Sequence, residues 1–462
     1  MGDIVAIHKG ETLSGSLIFA KNSNHSPNEA FLTLWADGKG HGGGATLRTT
    51  TIEVPQVSRT YGMVMQKPKW SWGCETGMNE KGLCVGVETV ATKATLPPNP
   101  GGLIGNDVCR LVLERCAGAR EGADLIIGLL GRYGHCSWAP GSLDVRRCRD
   151  YSYLLADMDG IYVIETAGPH WVLKEVAEDG RFYCVSNMLG IRSDYDDRSD
   201  GVRELERGGP RVDWGKAFGR PLAYSFEGAP VRRYAFNDSV LRDLEGPAMA
   251  ASKFSLFHAK SMRHGDGVGV SYRTFVDALR RHMQRNVDKP SQPCMHFGDN
   301  KKSLHTVGSF IAEPGANMVY TTASSTPCRS IFKPVFLDAE TPFFKEGQEA
   351  EAERYWIVRE LVIRSSFTEL IEKTRLKNGI SDIEYAYDRE MRELKDMGEG
   401  GLGAYNARVW EYDEKFFEQN LRRAGKTARE LRPNISTVFF KWLWRPYNQA
   451  LLDRAREIGG IF

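Results

Sequence analysis

KPKWSWGCETGMNEKGLCVGVE, residues 67–88, is where the reading of the fold begins. Extended to Val90 its second half is GLCVGVETV (82–90), an apolar, partly β-branched run that opens on glycine and reads as a strand. YGMVMQK (61–67) reads as another, and Asn79 just ahead of Gly82 suits a turn between strands. Working outward, IVAI (4–7), SLIFAK (16–21) and TTTIEVPQV (49–57) are further strand candidates. SYLLADMDGIYVIETAG (152–168) reads as a hairpin over Asp159-Gly160, and HWVLKEV and RFYCVSNML extend the meander. HTVGSFIAE (305–313), ANMVYTTAS (316–324) and CRSIFKPVFL (328–337) close the set.

Helical periodicity interrupts the strands once, at about 105–131. Val108, Leu111, Val112 and Cys116 share a face there, and Leu125, Ile126, Leu129 and Leu130 continue the pattern. Residues 194–250 are polar, rich in Arg and Gly, and read as loops covering the sheet, before a short helix near Tyr272–His282. Beyond 340 the chain turns to helix formers and dense charge. Tyr355, Val358 and Val362, then Ile383, Tyr387, Met391 and Leu394, recur at three- and four-residue spacing. Strands in runs followed by helices in runs predict an α+β architecture, with a core domain over 2–340 and a helical C-terminal extension over 341–462.

Composition narrows the function classes. With 61 Lys+Arg against 59 Asp+Glu, interleaved along the 462 residues, the chain lacks the basic excess of a nucleic-acid binder. No apolar run reaches the roughly 18 residues of a membrane span, so no membrane partner is expected. Nine cysteines, an odd number without a C-x-x-C pair, read as reduced thiols and a cytoplasmic location. The string His41-Gly42-Gly43-Gly44 looks like a lipase oxyanion loop, but the G-x-S-x-G elbow it would need is absent. GEGGLG (398–403) follows a charged helix rather than a strand, which speaks against nucleotide binding. Cys294-Met295-His296 offers two metal ligands without a second pair at ligand spacing, so no metal is predicted.

One set of separated strings goes further: FAKNSN (19–24), VPQVSRT (54–60), residues 67–88, LIGNDVCRLVLER (103–115), VIETAGPHWVLKEV (163–176), VSNMLGI (185–191) and CRSIFKP (328–334). Together, from residue 2 to about 337, they resemble the secernin and dipeptidase A family of N-terminal-nucleophile hydrolases. The resemblance implies a four-layer αββα sandwich whose first strand begins with a cysteine. In that scheme the thiol attacks an amide carbonyl, and the residue's own α-amine is the base.

Gapless counting back from FAKNS places that nucleophile at Gly2, which has no side chain. The family string Lys-Asn-Ser-Asp-Arg reads here Lys21-Asn22-Ser23-Asn24-His25, so neutral Asn24 replaces an acid that would orient the amine or its lysine. The resemblance assigns Lys21 a place beside the N-terminus and gives Asn79 and Asn187 the amides of an oxyanion hole. Glu88, at a strand end, is the candidate for binding a substrate ammonium. Trp70, Trp72, Lys333 and an Asp107–Arg110 ion pair are assigned to the fold. The reaction expected is dipeptidase-like hydrolysis of a peptide or N-acyl amino acid, without any cofactor, in a version lacking its nucleophile. The alternative is an inactive secernin-like binding protein. A homo-oligomer is compatible with either, and the helical tail is open to three roles: dimerisation, a lid over the pocket, or extension of the core.

Overall fold

The computed structural model describes residues 2–94, 101–136, 150–245, 269–282, 293–296, 304–367, 370–394, 399–431 and 438–461. Met1, Cys148 and Gly398 lie outside them. In chain order the strands and helices are β1 (Gly2–Ile7), β2 (Ile18–His25), β3 (Phe31–Ala36), β4 (Thr46–Arg48), β5 (Glu53–Pro55), β6 (Met63–Pro68), β7 (Thr76–Asn79) and β8 (Cys84–Val90), then α1 (Gly105–Arg115) and α2 (Ala119–Tyr133). β9 (Asp150–Ala156), β10 (Ile161–Ala167), β11 (His170–Val176), β12 (Phe182–Ser186) and β13 (Asp197–Arg198) follow. Next are α3 (Asp200–Leu205), α4 (Trp214–Phe218), α5 (Pro221–Glu227), α6 (Ala229–Glu245) and α7 (Tyr272–Leu279). The chain ends with β14 (His305–Glu313), β15 (Met318–Thr321), β16 (Lys333–Phe336), β17 (Phe344–Lys345), α8 (Glu349–Ser365), α9 (Leu370–Glu393), α10 (Glu399–Glu430) and α11 (Val438–Ile458).

Two sheets form the centre. One runs β12-β1-β2-β14-β15-β16, the other β13-β11-β10-β9-β8-β7-β6-β3-β17. Strand alternation sends successive side chains to opposite faces, so each sheet feeds two cores. Ile4, Ala6, Phe19, Phe310 and Val319 of the first sheet meet Val64, Met78, Cys84, Leu154 and Val163 of the second in the core between them. Val5, Ile7, Ile18, Ala20 and Ile311 turn outward onto α6 and α7. On the far side Val85, Val87, Tyr153 and Leu155 pack on α1 and α2. The order helix, sheet, sheet, helix is the predicted α+β sandwich, and it carries a helical C-terminal part.

Several expectations are corrected. Residues 200–245 are largely helical rather than loops. Along α6 the buried residues Arg232, Ala235, Phe236, Val240 and Leu244 follow a three- and four-residue spacing that the polar composition of the stretch obscures. The sequence reading assigns no strand to FLTLWA (31–36), which forms β3. The chain beyond 340 is not purely helical, because β17 adds a parallel edge strand beside β3. Asp107 and Arg110 do not pair. Asp107 accepts from Thr50 Oγ1 (2.6 Å) and the Gly73 N–H (3.1 Å), while Arg110 binds Glu114 and Glu346. Burial raises the Asp107 carboxyl to about 6, with the Thr50 and Gly73 bonds opposing the rise. Trp72 lies under the Arg110 guanidinium at 4.1 Å, and Lys333 is buried on Asp413, both structural as expected.

Candidate functional site

β1 lies between β12 and β2, with Asp3 opposite Ser186 on one side and Gly2 opposite Ser23 on the other. This register brings the start of the chain to Asn187, the residue immediately after β12. The backbone N–H of Gly2 donates to Asn187 Oδ1 at 3.1 Å, and Arg232 Nη2 donates to the same oxygen at 2.7 Å. Asn187 Nδ2 donates to Glu88 Oε2 at 3.0 Å and to the Thr89 carbonyl at 2.9 Å. Glu88 Oε1 is ion-paired with Lys21 Nζ, which also donates to the Val87 carbonyl at 3.2 Å. Four of the six predicted site residues, Gly2, Lys21, Glu88 and Asn187, therefore form one cluster across both sheets, and all are buried.

The other two lie elsewhere. Alternation along β2 turns Lys21 and Ser23 inward and Asn22 and Asn24 outward. There Asn24 Oδ1 accepts from Thr306 Oγ1 at 2.7 Å. Asn79 sits at the β7–β8 turn, beside Leu83, five residues and roughly 17 Å along the strand from Glu88. Its Nδ2 donates to the carbonyls of Leu113 and Cys116, and its Oδ1 accepts from the N–H groups of Lys81 and Leu83. The oxyanion role drawn from the resemblance is thus corrected: Asn79 ties the turn to the end of α1, and its amide is fully used.

Three contributors escaped the sequence reading. Asp3 accepts from Arg232 Nε at 2.9 Å and from Ser186 Oγ at 2.5 Å, so the first strand is clamped to α6 on its outer face. Glu75 Oε2 stands 4.0 Å from Lys21 Nζ, and Glu75 Oε1 lies 2.5 Å from His25 Nε2. His25 Nδ1 is 3.1 Å from Glu29, whose carboxylate also accepts from Trp70 Nε1 at 2.7 Å. Burial disfavours the imidazolium, but the carboxylates of Glu29 and Glu75 on either side outweigh it and hold His25 up at about 9. Burial likewise opposes the Glu75 charge, and His25 and Lys21 more than offset it, leaving that carboxyl well below its ordinary range. His25, at the position that the resemblance gives to an arginine, keeps a positive charge. Only Arg232 had a sequence signal, the helical spacing of α6; the others depend on sheet register.

The position that the resemblance gives to a nucleophile is closed. A Cβ on Gly2 would overlap the Asn22 carbonyl oxygen and fall 2.6 Å from Glu88 Oε1. Across the strand, the buried Ser23 hydroxyl has no hydrogen-bond partner among the described residues. Two cavities, of about 690 and 200 Å³, open elsewhere, at His170, Arg198 and Asp200 and at His41, Arg110 and Glu346.

No protein-family model matches the sequence. Among solved structures the chain is similar to penicillin V acylase from Agrobacterium tumefaciens, at 13% identity and TM-score 0.41 over 74% of this chain and 88% of that one. It is similar to a mutant of conjugated bile acid hydrolase from Clostridium perfringens, at 14% identity and TM-score 0.43 over 74% and 94%. A Caenorhabditis elegans N-acylethanolamine-hydrolyzing acid amidase ortholog matches at 12% identity and TM-score 0.32 over 68% and 93%. At these values the likenesses carry no argument about activity. Among the described residues no helix is long and apolar enough to cross a membrane.

Proposed function

We propose that this chain is a binding protein on an amide-hydrolase scaffold, with linear amides such as dipeptides or N-acyl amino acids as its ligand class and no peptidase turnover. Nucleophilic amide hydrolysis needs an attacking atom, a base and donors aimed at the developing oxyanion. The observation that carries the reading is that the cluster withholds the attacking side chain at residue 2 and the amide donors. Residue 2 has neither a side chain nor room for one, and both N–H groups of Asn187 and of Asn79 are already bonded within the fold. What persists is charge: Lys21, Glu88 and Arg232 can recognise the carboxylate and ammonium ends of a small peptide once the cluster opens.

The test is a panel of dipeptides and N-acyl amino acids, assayed for hydrolysis and for binding by calorimetry. The proteins are this chain and its Gly2→Cys variant, with intact mass reporting whether Met1 is removed. Binding without turnover by this chain supports the proposal; turnover by it sinks the proposal. Turnover by the cysteine variant alone would mean that the strand start can shift and that glycine is the silencing change.

A second reading, a working dipeptidase-like hydrolase, is favoured by one observation, the unpartnered Ser23 hydroxyl directly opposite Gly2. In it Ser23 Oγ would bond to the acyl carbon, the amide C–N bond would break and the hydroxyl proton would pass to the leaving amine; water would then add to the ester, releasing the carboxylic acid and returning a proton to Ser23 Oγ. A Ser23→Ala variant that abolishes turnover shown by the parent chain would establish it.

A further inference from the structure

Away from the Gly2 cluster, on the outer face of the six-stranded sheet, four side chains from three separate segments converge. His282 follows α7, Cys294 and His296 belong to the short segment beside β14, and Cys328 lies in the turn Pro327–Arg329. One ligand atom from each lies within 4.8 Å of all the others. His296 Nε2 is 3.3 Å from Cys294 Sγ and 3.1 Å from Cys328 Sγ. Neither sulfur is in a disulfide. The second ligand pair missing from the sequence is therefore present in space, 14 residues before His296 on one side and 32 after it on the other.

We infer that His282, Cys294, His296 and Cys328 form a structural zinc site. Two thiolates and two imidazoles are the donor set that Zn²⁺ takes in closed, four-coordinate sites, and soft sulfur ligands disfavour magnesium or calcium. Zinc bonds of about 2.3 Å to sulfur and 2.0–2.1 Å to nitrogen place tetrahedral ligands roughly 3.5 Å apart, a few tenths of an ångström beyond the His296 contacts here. As a hydrogen-bonding group the single Nε2 cannot serve two thiols equally, whereas a metal satisfies all four ligands at once.

The surroundings hold the ligands ready. Asn22 Nδ2 donates to the carbonyls of Leu279 and Pro293, fastening the end of α7 and the segment carrying Cys294 to β2. Met295 and Thr306 exchange two hydrogen bonds, Met295 N–H to Thr306 Oγ1 and Thr306 N–H to the Met295 carbonyl. Arg280 Nε donates to the Pro327 carbonyl at 2.8 Å, joining α7 to the turn that bears Cys328. Zinc would thus staple three segments over the outer side of the strand whose inner side carries Lys21 and Ser23.

The full chain, purified without chelator, is expected to retain a single zinc by elemental mass spectrometry. Replacement by Co²⁺ should give sulfur-to-cobalt charge-transfer bands and the intense visible absorption of tetrahedral cobalt. Cys294→Ser and Cys328→Ser should each weaken the charge-transfer bands, and chelation should lower the Tm by several degrees. A chain that retains no metal, gives only the weak spectrum of octahedral cobalt, and shows either two freely titrating thiols or a Cys294–Cys328 disulfide by peptide mass would overturn the site.

Discussion

Two lysines are wholly buried in the six-stranded sheet, and their surroundings differ. Lys333 on β16 donates to the Thr322 carbonyl at 2.6 Å and pairs with Asp413 of α10 at 3.1 Å; Asp413 is also held by Arg359 and by the Tyr355 hydroxyl at 2.5 Å. That one carboxylate is the only anion bonded to both cations there among the described residues. Burial, only partly offset by Asp413, draws the lysine down to about 8. Lys21 on β2 has Glu88 in contact and Glu75 at 4.0 Å, with a neighbouring hydroxyl unpartnered. A buried charge with one partner is a rigid tie between layers, because losing that partner strands the charge. A charge with two partners can exchange them, which is the property a recognition site needs.

The comparison yields measurable differences. Asp413→Ala, which strands Lys333 and Arg359 together, is expected to destabilise the chain by about 3–5 kcal/mol in urea unfolding. A loss below about 1 kcal/mol would remove the distinction between the clusters. Next comes pH. The His25 pKa is raised from 6.5 to about 9 in the folded state, so its contribution is complete below pH 6.5 and is lost as pH rises through 9. Unfolding stability should fall over that window by up to about 3 kcal/mol, and His25→Gln should flatten the slope.

Glu88→Gln leaves Lys21 with Glu75, so the expected loss is smaller, about 1–3 kcal/mol, measured in the same denaturant series. Equality with Asp413→Ala would mean that Glu75 cannot take over. Gly2→Ala, which presses a methyl group on the Asn22 carbonyl, should cost about 1–3 kcal/mol without creating hydrolysis. A neutral effect would show that the first strand can retreat and that the closure at residue 2 is adjustable.

Much of the scaffold was legible. The valine-rich run to Val90, the hairpin over Asp159-Gly160 and the helical periodicity of 105–131 each became the expected element, since alternation and 3.6-residue spacing are local properties of the chain. The cluster at Gly2 was partly legible: the resemblance led to Lys21 and Asn187 and the strand end to Glu88, but Asn24 faces outward onto Thr306 and the amide of Asn79 is consumed by a neighbouring helix. The resemblance also missed Asp3 and Arg232, for which partner and burial are set by β1–β12 register and by the docking of α6, and Glu75, which meets Lys21 and His25 of β2 only where the two sheets face each other.

The sequence by itself determined most of the strands, the helical stretches of 105–131 and beyond 340, the balance of charge, and a glycine at the position that the resemblance gives to a nucleophile, because residue type and spacing are written along the chain. Only the tertiary structure decided that this glycine has no space for a side chain and that the asparagine amides are spent. It also decided that His282 and Cys328 join Cys294 and His296. Those outcomes depend on atoms brought together from up to 99 positions apart, by sheet register and layer packing that no local pattern encodes.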